Sequence, residues 1–181
     1  MAILKVARLG HPVLRRVADP IPPQEITGQE IQTLIQDMFE TMDEYNGVGL
    51  AAPQVHVSKQ LALVGGETDD DGTPLVRVVI NPEITPTTDK LYGMYEGCLS
   101  LPGMRGYVER PAAVHVRYLD EDGEVVEEDL EGYQAVVMQH ECDHLQGRVY
   151  IERMKDMRRL AYEEEAERFL PVDVMNDGRD A

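Results

Sequence analysis

His140 and His144 enclose Glu141 in the run His140-Glu141-Cys142-Asp143-His144. On a helix turning about 100° per residue, positions four apart lie some 40° round and one turn along, so both imidazoles can meet one ion. Glu141 is displaced sideways, within reach of a water at that ion without being a ligand. The same letters could describe two surface histidines. The preceding Ala135, Val136, Val137 and Met138 predict burial instead, and buried paired histidines need a partner. The pattern is that of a metalloenzyme, and two imidazoles require a third protein ligand.

Three candidates exist for that ligand. Cys142 shares the helix but lies about 200° round from His140, which makes it a small buried thiol. Glu164, in the acidic run Glu163-Glu164-Glu165, has the separation from His144 used by thermolysin-like peptidases, although such a run usually forms a solvated helix face. Cys98 sits in Glu96-Gly97-Cys98-Leu99-Ser100, where a thiolate could project toward a neighbouring helix. Spacing alone does not separate Cys98 from Glu164. A peptidase built on Glu164 and a non-catalytic domain with a structural metal are the competing readings.

A further stretch, Gly47-Val48-Gly49-Leu50-Ala51-Ala52-Pro53-Gln54, combines small residues that allow close backbone packing with one polar amide. Taken together, the runs at 47–54, 96–100 and 139–144 resemble the three ordered signature motifs of peptide deformylases. The likeness extends to Gly10-His11-Pro12-Val13-Leu14-Arg15 and to Arg105 and Arg110, and covers roughly residues 3–150. Val48 stands where the family often has Ile.

The resemblance implies a hydrolase that removes the formyl group from N-terminal formylmethionine of new polypeptides and releases formate. It implies Cys98, His140 and His144 as ligands of one divalent ion, Fe2+ in the cell, with Zn2+, Ni2+ or Co2+ as substitutes. Glu141 would be the general base and then acid, and the Gln54 amide and the Leu99 backbone N–H would hold the developing oxyanion. Val48, Gly49 and Gly97 would pair with the substrate backbone. Met94, Tyr133 and Val137 would line the methionine pocket, with Arg105 also at the substrate. The implied fold is α+β, with antiparallel β-sheets packed around a central helix carrying the H-E-x-x-H motif, and a C-terminal helix.

The elements that must position these residues are partly legible. Ile31, Leu34, Ile35, Met38, Phe39 and Met42 form one apolar stripe, predicting a helix from Thr27 to Tyr45, stopped by Asn46-Gly47. Segments 60–64, 75–80, 113–119 and 124–130 are short and β-branched, predicting strands, and the D-G runs at 69–72 and 120–123 predict turns. Helical periodicity returns over 133–145 and again over 153–169. A single catalytic domain is expected over 1–170, with a frayed tail over 171–181.

Composition sets the remaining bounds. The 181 residues carry 34 acidic and 17 basic side chains, a formal charge of −17, and only two cysteines. Phosphate-binding surfaces need clustered Lys and Arg, so direct nucleic-acid binding is not expected, and the acidity opposes tight docking to ribosomal RNA. No apolar run approaches the roughly 18–20 residues that span a bilayer, the apolar stretch within the first ten residues is too short for a secretory signal, and two cysteines make no disulfide framework. The expected protein is a cytoplasmic monomer that meets its peptides near the ribosome. Its acidity is either a solubility device or an adaptation to high salt.

Overall fold

Side-chain alternation along two central strands explains how the main sheet is covered on both faces. In β2 (Leu61–Thr68), Leu61 and Leu63 face one side while Ala62 and Val64 face the other, and all four are buried. In β3 (Pro74–Pro86), Val78 and Ile80 join the first group and Val79 the second. A strand packed on both faces reads as a continuous apolar run, as 61–64 does. These strands belong to a computed structural model that describes residues 2–68, 71–72 and 74–169. The expected tail at 171–181, and part of the turn at 69–72, fall outside the described residues.

The first apolar group lies under α1 (Gln29–Glu44), whose Ile31, Ile35, Met38 and Met42 are buried against Leu50, Leu61, Leu63, Val78 and Ile80. Burying each such side chain is worth about 1.5–3 kcal/mol, so this stripe rather than intrinsic propensity holds the helix in place. Asn46 takes the left-handed conformation at φ 52° that ends it, and Gly47 donates back to the Met42 carbonyl at 2.8 Å. The second group packs on α2 (Gly132–Leu145) through Ala135, Val137, Met138, Cys142 and Leu145. From Ala135 to Leu145 every residue except Gln139 is buried, so α2 is enclosed rather than amphipathic.

Completing the sheet are β1 (Gly49–Ala51), β6 (Ala113–Leu119) and β7 (Val125–Glu131), in the order β1-β2-β3-β6-β7 with every pairing antiparallel. On the other side of α2 stands a smaller antiparallel sheet, whose strands β4 (Leu91–Cys98) and β5 (Leu101–Pro111) form a hairpin. Sequence patterning misses this hairpin. Its Gly93, Gly97, Pro102, Gly103 and Gly106 break up the β-branched alternation that marks strands elsewhere.

The helix expected over 153–169 is corrected by the structure. That stretch contains a 3-10 turn at Met157–Arg159, a strand β8 (Leu160–Tyr162) paired with β5, and only a short helix α3 (Glu163–Phe169). Asp156 accepts the Arg158 N–H and starts the tight turn, and the free edge of β5 then offers partners that a helix could not use.

Candidate metal centre and cleft

The central helix delivers His140, Glu141 and His144 to the gap between the two sheets. The hairpin delivers Cys98 from the opposite side. Its register slips between Gly97 and Cys98, and Cys98 then pairs with Leu101 across Leu99-Ser100. Such a bulge turns a side chain out of the strand's own alternation. The Cys98 sulfur ends 3.3 Å from His144 Nε2, and donor atoms of Cys98, His140 and His144 all lie within 4.8 Å of one another. Among the described residues this is the one cluster of such donors suited to a metal ion.

The donor chemistry fits a divalent ion. Burial pushes the Cys98 thiol up, but the His144 and His140 imidazoles overcome it and hold the thiol well below its usual range, which favours the thiolate form that binds metals. His140 Nδ1 is engaged by Glu96 Oε2 at 2.7 Å, which orients the ring and leaves Nε2 for the ion. Cys142 packs away in the apolar core, where burial pushes its thiol up to about 12. Glu164 is exposed on α3 and lies outside the cluster.

Two polar groups flank these donors. Gln54 lies within a 3-10 turn at Ala52–Val55 and is 2% exposed. Its carbonyl oxygen accepts the Ala51 N–H at 2.8 Å, so its amide nitrogen must point inward, 3.4 Å from the Cys98 sulfur and 3.2 Å from Ser100 Oγ. Glu141 is buried, its Oε2 has no hydrogen-bond partner in the structure, and burial raises its pKa above the usual carboxylate range. A carboxylate with an unsatisfied oxygen, desolvated beside a metal-ligating group, suits proton transfer.

Several residues that support this arrangement carry no signal in spacing alone. Gly49 has a packing role, since a Cβ there would stand 2.7 Å from Glu141 Cδ. Ser100 is fully buried behind the Gln54 amide. A chain of charges runs from His140 through Glu96, Arg110 and Asp143, all buried, to the exposed Arg153. Glu96 is pushed up by burial, yet Arg110 and His140 bring it down to about 2. Each buried charge in the chain has an opposite partner, the condition under which such burial is tolerated.

The cleft has a volume of about 880 Å3 and reaches from the metal donors to the surface. Val48, Gly49, Met94, Gly97, Tyr133 and Val137 all line it, as do Leu99 and Arg105. Val136 also lines it and is not distinguishable from its apolar neighbours in sequence. Arg105 lies along Gly97 and donates through Nε to Glu163 of α3 at 2.8 Å. Residues 2–8, without regular secondary structure, form an arm that reaches the cleft through Lys5, Val6 and Arg8. Ala7 donates to the Gln54 carbonyl at 2.7 Å and Leu9 to the Ser100 carbonyl at 2.9 Å.

Comparison with known proteins adds independent findings. The sequence model of the polypeptide deformylase family matches residues 3–160. A peptide deformylase of Leptospira biflexa is 46% identical over 170 residues, covering 91% of this chain and 95% of that protein. The Met-Ala-Ser-bound crystal structure of a class I type b peptide deformylase from Acinetobacter baumannii superposes with a TM-score of 0.78 at 38% identity, covering 84% of this chain and 99% of the other. An actinonin complex of a peptide deformylase from Synechococcus elongatus gives a TM-score of 0.79 at 35% identity, over 93% and 86% of the two chains.

Proposed function

The chain belongs to the peptide deformylase family, and from that membership we propose how its own residues carry out the reaction. It is a metal-dependent hydrolase that removes the formyl group from the N-terminal formylmethionine of newly made polypeptides and releases formate. Cys98, His140 and His144 would hold a divalent ion, which would supply Lewis-acid polarisation of the formyl carbonyl and acidify a water. Glu141 takes the proton of the attacking water and returns it to the departing amine nitrogen. The Gln54 amide and the Leu99 N–H donate to the oxygen on which negative charge develops. Val48, Gly49 and Gly97 pair with the peptide backbone, Met94, Tyr133 and Val137 receive the methionine side chain, and Arg105 stands beside the bound peptide. The observation that carries this reading is the convergence of a buried carboxylate and an inward-pointing amide on one cysteine–imidazole cluster.

We assign Fe2+ as the working ion because the family resemblance implies it, although the divalent affinity series by itself favours zinc. The Cys98 sulfur is then the point at which oxidation would inactivate the enzyme. Residues 1–170 act as one catalytic unit in a cytoplasmic monomer that meets nascent formylmethionyl peptides near the ribosome, without binding nucleic acid directly. No helix of the described residues is long and apolar enough to cross a membrane. The relative whose structure holds Met-Ala-Ser supports a short methionyl peptide as the occupant of the cleft.

The test is anaerobic metal analysis coupled to formate release from a formyl-Met peptide. Glu141→Gln should retain the metal and lose most turnover, because an amide cannot accept the proton. Cys98→Ser should lose metal, and in cobalt-substituted protein it should lose the intense thiolate-to-metal band. Formate release at the wild-type rate by Glu141→Gln, or a band retained in Cys98→Ser, would remove these assignments.

A further inference from the structure

With a net charge of −17, this protein has few cations, and much of their charge is already engaged. Arg77 lies between Glu67 and Glu128, Arg110 between Glu96 and Asp143, and Arg105 against Glu163. Lys5 and Arg8 differ. Both are exposed, both line the catalytic cleft, and neither forms an ion pair among the described residues. Their placement is not that of a loose terminus, because Ala7 and Leu9, on either side of Arg8, are hydrogen-bonded to the Gln54 and Ser100 carbonyls. Of the other charges lining the cleft, Glu96 pairs with Arg110 and His140, Arg105 pairs with Glu163, and Glu141 lies buried beside the metal donors, which leaves Lys5 and Arg8 as the exposed cations without an ion pair on the arm side.

We propose that Lys5 and Arg8 make this enzyme select formylmethionyl peptides that carry Asp or Glu in the residues following methionine. The proposal rests on the deformylase reading above and names a substrate class for it. With the formyl group at the metal donors and the methionine side chain among Met94, Tyr133 and Val137, the following residues must leave through the mouth. Positions 5 and 8 are three residues apart, at most about 10 Å, so their long side chains cover a span of some three residues of an extended peptide. The carboxylates of Asp43 and Glu40 border an adjoining groove beyond Val48 and do not line the cleft itself. At long range the protein's charge repels an acidic peptide, and salt screens that repulsion beyond about 8 Å at physiological ionic strength. Contact pairs with Lys5 and Arg8 act inside that distance.

Exposed ion pairs of this kind each change binding by about threefold, so the two together give roughly tenfold. The experiment compares formate release from C-terminally amidated formyl-Met-Asp-Glu, formyl-Met-Ala-Ser and formyl-Met-Lys-Arg peptides at physiological salt. In the wild type, kcat/KM for the acidic peptide should exceed that for the basic one by about tenfold. Lys5→Gln/Arg8→Gln should bring the ratio close to one, and Lys5→Glu/Arg8→Glu should invert it. Equal rates or a basic preference in the wild type, or an acidic preference surviving the double substitution, would overturn the proposal. Absence of formate from all three peptides would instead overturn the deformylase reading. The charge preference would then still be decided by fluorescence-anisotropy binding of the same peptides, on the same expected ratios.

Discussion

Gln54 cannot flip without losing a hydrogen bond, because its carbonyl oxygen is held by the Ala51 N–H. On the reading proposed above, this donor is in place before substrate arrives, and no reorganisation is needed when charge develops. Gln54→Leu should lower kcat by about 10²–10³ with KM little changed, as loss of one such donor does elsewhere. A raised KM with normal kcat would make Gln54 a ground-state binding group. Gly49 acts by lacking a side chain. Gly49→Ala would drive a methyl group into the Glu141 carboxylate and should destabilise the protein by about 1–3 kcal/mol. In a Glu141→Ala background that penalty should largely vanish. A double-mutant cycle by urea denaturation checks it, and an unchanged penalty would place the strain elsewhere.

At the scale of elements, the hairpin β4–β5 and helix α2 are joined by charge as well as by packing, through Glu96 and Arg110 on the hairpin and His140 and Asp143 on the helix. A second polar cluster, away from the metal donors, joins strands of the larger sheet. Tyr118 of β6 donates to Glu128 of β7 at 2.9 Å, and Arg77 of β3 pairs with the same carboxylate. Burial and then Glu128 raise the Tyr118 pKa well above its usual value of 10. A raised folded-state pKa means stability is fully present below pH 10 and declines as pH rises from there toward the folded value. Tyr118→Phe should reduce that alkaline decline, measured as urea-unfolding free energy between pH 8 and 11. An unchanged slope would assign it to other groups, such as Tyr150, which burial also raises.

Across the whole molecule, a charge of −17 adds self-repulsion that folding must overcome. Adaptation to high salt predicts a melting temperature that climbs steadily from low to molar KCl as screening shortens the range of repulsion. A flat response would leave solubility as the role of the acidity. Removing the metal should act differently. Binding to the folded state alone stabilises it, so a chelator should lower the melting temperature by an amount that returns on adding back the ion.

Much of the centre was legible before any folding, because its chemistry is local. His140, Glu141 and His144 sit on one helical turn, whose geometry follows from spacing. The α1 stripe and strands β2, β3, β6 and β7 were legible for a similar reason, since period and β-branching report burial within a single segment. The third ligand was not open to spacing: Cys98 and Glu164 stood level until the family resemblance separated them. Only the bulged hairpin, packed across α2, brings the Cys98 sulfur to His144. The Gly-rich strands of that hairpin, the edge pairing that turns 160–162 into β8, and the contact between Gly49 and Glu141 depend on neighbours distant in the chain. Residue types and spacing thus determined which chemistry was available, and tertiary structure decided which donors meet, because the bulge, the free strand edge and the missing Cβ act only through what packs against them.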